Sequence, residues 1–264
     1  MLDMTAHAPA AIHSFPLSSS AFENHEDTIL KRYRAHFEAV SADTPELVEL
    51  AQKIRYQVYC IENPLEKRAD NPDGIESDEF DSHAVHTILF DRDTGCPLGT
   101  VRLILPLPHA PDRSFAVQRL LDPDSLRELR ALPPRTTAEI SRFSISRQSR
   151  RRVMDGGAAR ECVDIKVASS GPLMRLGLMQ GIMRMSVAQG ITDWCALMEP
   201  TLLRMLAAMA IRFRPIGPLV EFRGRRQPCC LNVRDMLQAT MWERPRFWEL
   251  ITDGGSLGGY SEAA

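Results

Sequence analysis

Four groups of polar residues interrupt otherwise apolar or amphipathic segments, and their chemical types suit a site that binds a charged small molecule. They are Arg55 with Tyr59, the acidic run Glu76–Asp81, Arg102, and Glu139 with Arg142. A guanidinium meets a carboxylate through two parallel hydrogen bonds, and a carboxylate beside an amine can act as a general base. Each group alone has an ordinary explanation, since exposed arginines, acidic loops and surface ion pairs are common. Their combination is what indicates a site.

The helix that must carry Arg55 and Tyr59 has a recognisable start, because Thr44 is a candidate cap and Pro45 suits the first helical position. Apolar residues then recur at spacings of three and four: Leu47, Leu50, Ala51, Ile54 and Val58. This stripe predicts a helix packed on a sheet. Arg55 and Tyr59 are four residues apart and therefore share one face of that helix.

Strands must carry the remaining groups. The β-rich runs Ala84–Phe90 and Gly99–Leu105, joined by a turn-rich stretch, predict an antiparallel hairpin that bears Arg102. Ala138–Ser146 predicts another strand. The other predicted elements are strands at Tyr33–Val40, Thr192–Met198, Val220–Phe222 and Cys229–Val233, and helices at Pro172–Gln189 and Thr201–Ile211. Their order is that of a mixed α/β layer protein.

Composition predicts one soluble domain. The chain has 264 residues, 44% of them hydrophobic, and a net charge of −2, which favours neither nucleic acid nor an anionic membrane as partner. We expect a disordered tail at residues 1–25, a single domain at 26–252 and a flexible tail at 253–264. The six scattered cysteines lack the C-x-x-C spacing of metal sites. No transmembrane segment or signal peptide is apparent, so we expect a cytoplasmic protein.

Taken in order, the polar groups resemble the acyl-homoserine-lactone synthase family and its relatives, the N-acyl amino acid synthases and the exosortase-associated acyltransferases. The family pattern is Arg-x-x-x-aromatic, Glu-x-Asp-x-aromatic-Asp, Gly-x-x-Arg-Leu, a Phe and Glu-x-Ser-Arg-Phe. The matching residues are Arg55, Tyr59, Glu76, Asp78, Phe80, Asp81, Gly99, Arg102, Leu103, Phe115, Leu120, Glu139, Ser141, Arg142 and Phe143. Beyond Ser146 only the order of helices and strands is similar.

The resemblance implies a GNAT-like fold, with a mixed, mostly antiparallel sheet flanked by helices. It implies transfer of a fatty acyl group from an acyl carrier protein or acyl-CoA thioester to the amino group of an amino acid or related acceptor, without a tightly bound cofactor. Glu139, Arg142 and Asp78 would be catalytic, with Glu139 as the general base. Substrate-binding residues would be Arg55, Tyr59, Glu76, Asp81, Arg102, Phe115, Ser141 and Phe143.

The resemblance also implies a role for each charged group. Arg102 and Arg142 would hold the acceptor carboxylate, or keep the neighbouring carboxylates ionised and oriented. Asp78 and Asp81 would bind the acceptor ammonium or fix the loop over the site. Glu139 and Arg142 are three residues apart, so a regular strand would point them to opposite faces. We therefore predict a β-bulge near Ile140–Ser141.

The donor side is predicted from the second half of the chain. The basic run Arg147, Arg150, Arg151 and Arg152 would attract an acidic carrier protein or the phosphates of CoA, or is an exposed loop. Gly156-Gly157 comes too late for a pyrophosphate loop, which favours the carrier protein. The methionines could line an acyl tunnel or fill a core; they are Met174, Met179, Met183, Met185, Met205 and Met209.

Two departures from the family pattern refine the prediction. Quorum-signal synthases carry a Trp shortly after the first-helix aromatic, in the part of the site that receives S-adenosylmethionine, and this chain has Ile61, Glu62 and Leu65 there. Its absence favours an amino-acid acceptor. The extra sequence before Tyr33 and between Arg102 and Glu139 suits the exosortase-associated branch. The alternatives are an acyl-homoserine-lactone synthase, an acetyl-CoA-dependent acetyltransferase, a non-catalytic acyl-ligand sensor and an unrelated ligand-binding protein.

Overall fold

Helices and strands follow one another along the chain in a mixed α/β arrangement. The computed structural model describes residues 19–155 and 171–258, with side chains described for 27–151 and 171–258. The helices are α1 (Ser19–His36), α2 (Pro45–Tyr56), α3 (Pro123–Arg130), α4 (Arg147–Asp155), α5 (Gly171–Gln189), α6 (Pro200–Ala208), α7 (Val233–Glu243) and α8 (Pro245–Ile251). The strands are β1 (Phe37–Ser41), β2 (Ala84–Asp91), β3 (Pro97–Ile104), β4 (Thr137–Ile145), β5 (Asp193–Met198), β6 (Arg214–Pro215), β7 (Val220–Glu221) and β8 (Arg225–Asn232).

The strands form one sheet in the order β1-β2-β3-β4-β5-β8-β6, and β7 pairs with β8. The pairing is antiparallel throughout except between β4 and β5. Helix α5 packs on β1, β2 and β3, whereas α2 packs on β2 and β3 and joins a separate apolar cluster. The predicted class, a mixed and mostly antiparallel sheet flanked by helices, is confirmed.

The one parallel pair opens into a wedge. Thr137–Ile140 of β4 pairs with Asp193–Ala196 of β5, and the pairing ends there. Beyond that point β4 continues against β3, and β5 continues against β8. Because each strand follows its other neighbour, the two diverge and leave a gap in the middle of the sheet. The strand segments on either side of that gap line the site described below.

The predicted bulge is present on β4, about one residue later than expected. Thr100 pairs with Ser144 and Arg102 with Ser141, so three steps on β4 oppose two on β3. Arg142, at the bulge, has the left-handed φ of 52°, which is unfavourable for a residue with a Cβ. The extra residue changes the alternation of side chains, and both Glu139 and Arg142 line one cavity.

The start of the fold differs from the sequence prediction. We expected a strand at Tyr33–Val40, but α1 continues to His36 and β1 begins at Phe37. Leu30, Tyr33 and Phe37 are buried at spacings of three and four, and the Tyr33 hydroxyl donates to Gln180 on α5 at 2.9 Å. The segment is therefore helical because that face packs on α5. The helix also begins at Ser19, inside the predicted tail.

The methionine-rich helix belongs to the core. Met174, Met179, Met183 and Met185 of α5 are between 0 and 4% exposed and pack with the apolar face of the sheet. None of these four lines the cavity described below, which favours the interpretation that α5 is a core helix, whereas Met205 of α6 does line the cavity. None of the described helices is both long enough and apolar enough to cross a membrane.

Candidate active site

A closed ring of ion pairs lies at the base of the wedge. Its members are Arg55, Arg102 and Arg142, alternating with Glu76, Asp78 and Asp81. Each guanidinium contacts two carboxylates and each carboxylate contacts two guanidiniums, at N–O distances of 2.5–3.2 Å. Three positive and three negative charges cancel, so the ring is buried without net charge, which limits its desolvation cost.

The ring keeps its carboxylates ionised. Burial alone would raise the pKa of Glu76, but Arg55 and Arg142 outweigh it and lower that pKa. The same competition, won by hydrogen bonds and charges of the arginines, lowers the pKa values of Asp78 and Asp81. These groups therefore carry no proton at neutral pH and serve to orient the arginines rather than to accept protons.

Local backbone structure sets the ring geometry. The acidic run folds as a short 3-10 helix with a capping box, in which Asp78 accepts from the Phe80 N–H at 3.0 Å and Asp81 accepts from the Asp78 N–H at 2.7 Å. Helix α2 begins as predicted, with Thr44 as its cap and Pro45 in the first turn. After Tyr56 it continues as a π-helical segment, Gln57–Glu62. Such segments are frequent at functional sites.

Glu139 lies apart from the ring, on the same strand as Arg142. Its carboxylate is almost fully buried and accepts a hydrogen bond from the Val117 N–H at 2.9 Å. Its neighbours in the sheet register are Ile104 and Cys195, both in an apolar cluster. Burial raises the pKa of Glu139 to about 7, against the lowering effects of the Val117 hydrogen bond and of Arg102 and Arg142. This carboxylate can therefore gain or lose a proton near neutral pH.

Glu139 lines a cavity of about 1210 Å³, and the walls of this cavity differ in three regions. One side is polar and includes two ring arginines, Arg102 and Arg142, and Tyr59, whose ring centre lies 5.5 Å from the Arg142 guanidinium. The wall formed by β5 and α6 is apolar, with Leu197, Met198, Leu202 and Met205. A basic end is formed by side chains of α4 and α5, namely Arg147, Arg150 and Arg175.

At the basic end three arginines meet two carboxylates, because Glu62 lies 3.6 Å from Arg147 and the charge of Glu199 acts on Arg175. The Nε of Arg150 is buried and has no hydrogen-bond partner among the described residues. Burial has the largest lowering effect on the pKa of Arg175, and the charge of Arg150 lowers it further. The guanidiniums of Arg150 and Arg175 therefore lie near each other at the start of α5. An anionic group would offset both effects. Arg175 was not identified from the sequence, because nothing in its local pattern separates it from a core-helix arginine.

Most predicted site residues meet at the cavity, and a few do not. Those that line it are Tyr59, Glu76, Asp78, Arg102, Glu139, Ser141, Arg142, Phe143, Arg147 and Arg150. Arg55 and Asp81 complete the ring beneath it, and Ser141 accepts from Arg102 at 2.9 Å. Phe115 is buried in an apolar cluster beside the site, and Arg151 is exposed on α4. The side chain of Arg152 lies outside the described residues.

Glu62, one of the three residues that we expect in place of the Trp, makes structural contacts. Its carboxylate accepts hydrogen bonds from the N–H groups of Arg147 and Gln148 at 2.7 and 2.9 Å and from the Ser146 hydroxyl at 2.8 Å. Glu62 therefore caps the first turn of α4 and fixes the start of the basic run.

The family model described as "Acetyltransferase (GNAT) domain" matches residues 54–158, the segment that contains the whole ion-pair ring and Glu139. This segment of the chain is similar to a GNAT acetyltransferase domain. This confirms the fold and the enzyme class that the sequence pattern predicts. The match ends before α5, so Arg175 and the β8 side of the cavity lie outside the matched part of the domain. No curated protein matches the chain at a significant level.

The fold of the chain is similar to that of two solved structures, TofI and BjaI, and FeeM gives a match with a lower score. TofI, in a ternary complex with an inhibitor and MTA, has 17% identity and a TM-score of 0.52, and the match covers 78% of this chain and 95% of TofI. BjaI, described as a CoA-dependent acyl-homoserine lactone synthase with MTA, has 21% identity and a TM-score of 0.50, covering 84% and 90%. FeeM, an N-acyl amino acid synthase from uncultured soil microbes, has 16% identity and a TM-score of 0.48, covering 78% and 96%.

Proposed function

We propose that the chain transfers a fatty acyl group from a phosphopantetheine thioester, carried by an acyl carrier protein or CoA, to the amino group of an amino acid. The observation that carries the proposal is Glu139, a buried carboxylate with a pKa of about 7 at the meeting point of a polar, an apolar and a basic part of one cavity. Each part suits one portion of such a reaction.

The chemistry needs a base and a fixed geometry. Glu139 takes the proton from the acceptor amine, directly or through one water, and the nitrogen attacks the thioester carbonyl carbon. The C–N bond forms, the C–S bond breaks, and the departing thiolate is protonated, which gives an amide and a free thiol. Backbone N–H groups at the edges where β4 and β5 diverge can stabilise the developing oxyanion.

The two other parts of the cavity suit the donor. The apolar wall with Leu202 and Met205 offers space for an acyl chain, and the basic end with Arg150 and Arg175 suits the phosphate of a phosphopantetheine arm. A carrier protein and CoA share that phosphate, so the choice between them stays a prediction. The exosortase-associated branch and the cytoplasmic location also stay predictions.

The test is a product analysis. Purified protein is incubated with octanoyl or palmitoyl thioesters of carrier protein and of CoA, together with the twenty amino acids and S-adenosylmethionine, and products are identified by mass spectrometry. We expect an N-acyl amino acid that disappears with Glu139→Gln. The exposed residue Glu128, on α3, gives the matched control Glu128→Gln, which should keep the activity.

Three outcomes contradict the proposal. An acyl-homoserine lactone formed from S-adenosylmethionine would support the autoinducer-synthase alternative. Transfer of acetyl groups alone, to small amines, would support the acetyl-CoA-dependent alternative. Tight binding of acyl thioesters without any transfer would support the non-catalytic sensor.

A further inference from the structure

Arg223 lies at the tip of the β7–β8 hairpin and reaches the polar side of the cavity. It occupies the turn Phe222–Gly224 with a left-handed φ of 53°, and the Phe222 N–H donates to the Gly224 carbonyl at 3.0 Å. Its guanidinium lies 4.7 Å from the centre of the Phe222 ring. The turn and this cation–π contact hold the charge in place at the cavity wall.

Glu66 is the carboxylate that contacts Arg223, and it lies between two guanidiniums. The same oxygen, Oε1, contacts Nη2 of Arg223 and lies 3.6 Å from Nη2 of Arg142. The Glu66 N–H donates to the Tyr59 carbonyl at 3.1 Å, so the loop is tied to the π-helical segment. Both Glu66 and Arg223 line the cavity and keep 20% and 26% of their side chains exposed.

The two guanidiniums depend on Glu66 to different degrees. Arg142 has Glu76 and Asp78 at 2.7 and 2.9 Å, so Glu66 is its third and most distant carboxylate. The ring of ion pairs is closed and carries no net charge even without Glu66. Among the described residues, Glu66 is the carboxylate that pairs with Arg223. If Glu66 moves away, the ring stays intact and Arg223 presents an unpaired charge to the cavity.

The charges favour an anion at this position. Burial has the largest lowering effect on the pKa of Arg223, and the positive charge of Arg142 lowers it further. The two guanidiniums of Arg142 and Arg223 are therefore close enough to repel each other. A carboxylate between them relieves the repulsion. An ion pair that is partly exposed contributes little net free energy, so one carboxylate can replace another at small cost. The ring arginines are saturated by their own carboxylates, which leaves Arg223 as the guanidinium on the polar side of the cavity that can bind a carboxylate of a ligand.

We propose that Arg223 binds the carboxylate of the acceptor and that the Glu66 side chain holds this position until the acceptor replaces it. The identity of the ligand as acceptor rests on the proposed function. The substrate class is then an amine with a carboxylate close to it, that is, a free amino acid whose nitrogen is directed toward Glu139. An amine without a carboxylate, or with an amidated one, would leave Arg223 without its partner.

The test compares two product-like probes that differ only in charge, N-octanoylglycine and N-octanoylglycinamide, by calorimetric titration. Glycine has no side chain, so acceptor side-chain specificity does not enter. We expect the wild-type protein to bind the carboxylate about tenfold or more tightly than the carboxamide, the usual effect of one charge-assisted hydrogen-bonded pair. Arg223→Met should bring this ratio close to one without changing the affinity for the carboxamide. Glu66→Gln should tighten carboxylate binding.

The matched control is Arg225→Met, which removes the same charge from an exposed position of the same hairpin and should keep the ratio. The inference is overturned if the wild-type protein binds neither probe or both equally, or if Arg223→Met weakens both probes alike. Binding needs no turnover. A protein that prefers the carboxylate through Arg223 but transfers no acyl group would refute the proposed function and leave the carboxylate site in place.

Discussion

Glu139 differs from the other acids of the site in its surroundings rather than in its chemistry. Glu76 lies among arginines, and its pKa is lowered, whereas Glu139 has one backbone hydrogen bond and apolar neighbours, and its pKa is raised to about 7. Two glutamates of one cavity are thereby assigned different tasks. The ionised one orients charges, and the other can accept a proton at neutral pH.

The raised pKa of Glu139 predicts the pH dependence of turnover. In the wild-type protein kcat should fall as the pH drops below about 7, because the base becomes protonated. Glu139→Gln should lower kcat by about 10²- to 10⁴-fold and remove this inflection. The measurement is kcat at saturating acceptor between pH 5 and pH 9. An unchanged profile in the variant would show that another group is the base.

The ring predicts the pH dependence of stability, with the opposite sign to that of Glu139. The folded-state pKa values of Glu76, Asp78 and Asp81 lie below their ordinary values of 4.5, 3.8 and 3.8, so the stabilisation is present above those values and is lost as the pH falls below about 4. For Glu139 the contribution is present below about 4.5 and is lost as the pH rises through about 7.

Asp81→Asn should lower the free energy of unfolding by about 3–5 kcal/mol at pH 7, because it leaves two buried arginines with less compensating charge. Its stability should also depend less on pH between 5 and 3 than that of the wild-type protein. Urea titrations at several pH values measure both effects. Asp124, exposed and paired with Arg127 on α3, gives the control Asp124→Asn, for which we expect a change within about 0.5 kcal/mol.

At the scale of elements, β4 is the strand on which the site depends. Its parallel pairing to β5 ends at Ile140, and its bulge lies two residues further, at Arg142. The first feature opens the cavity and the second directs Arg142 into it. Without the bulge, the regular alternation of side chains would point Glu139 and Arg142 to opposite faces of the sheet.

Gly99 of β3 keeps this region close-packed, which gives a prediction. A Cβ at Gly99 would lie 2.5 Å from the Ser144 carbonyl oxygen and 3.2 Å from the Ile145 Cα. Gly99→Ala should therefore push β3 and β4 apart beside the bulge, at a cost of about 1–3 kcal/mol in stability and with loss of activity. Thermal unfolding and turnover measure the two effects.

Gly190→Ala is the comparison for Gly99→Ala. Gly190 has a φ of +64° and no atom within 4 Å of a built Cβ, so this variant bears the cost of left-handed backbone without a clash. It should lose some stability and keep its kcat. If Gly99→Ala behaves in the same way, the close approach of β3 and β4 does not control the site.

At the scale of the whole molecule, one cavity joins residues from distant parts of the chain. The ring of ion pairs and Glu139 come from residues 54–158. The apolar wall comes from β5 and α6, and Arg175 of the basic end comes from α5. We therefore expect the apolar wall, which lies outside the residues matched by the family model, to determine the preferred length of the acyl chain. Met205, the methionine of α6 that lines the cavity, is the residue to change.

Met205→Trp should shorten the preferred acyl chain. The larger side chain fills space beside Leu202, so kcat/KM for a palmitoyl donor should fall by about tenfold or more while that for a butanoyl donor changes little. Met241→Trp, at a position 53% exposed on α7, is the control and should leave the preference unchanged. Equal losses for both donors would place the acyl chain elsewhere.

Much of the ring could be predicted from the sequence because its members lie in recognisable local frames. Arg55 follows from a capped helix, Asp78 and Asp81 from an acidic run that folds as a capping box, and Arg102 from an alternating strand. Arg175, Arg223 and Glu66 could not be predicted. Each lies in a segment without a distinctive pattern and acquires a role only through contacts with residues far away in the chain.

The sequence by itself determined the class of chemistry and the elements that carry it, because residue types, helix caps and strand alternation are local properties. It also required a bulge, since Glu139 and Arg142 are three residues apart on one strand. The tertiary structure decided which charges are free. It paired Arg102 and Arg142 with the carboxylates of the ring, paired Arg223 with the partly exposed Glu66, and buried Glu139 deeply enough to raise its pKa. Pairing and burial depend on distant segments coming together, and no local pattern records them.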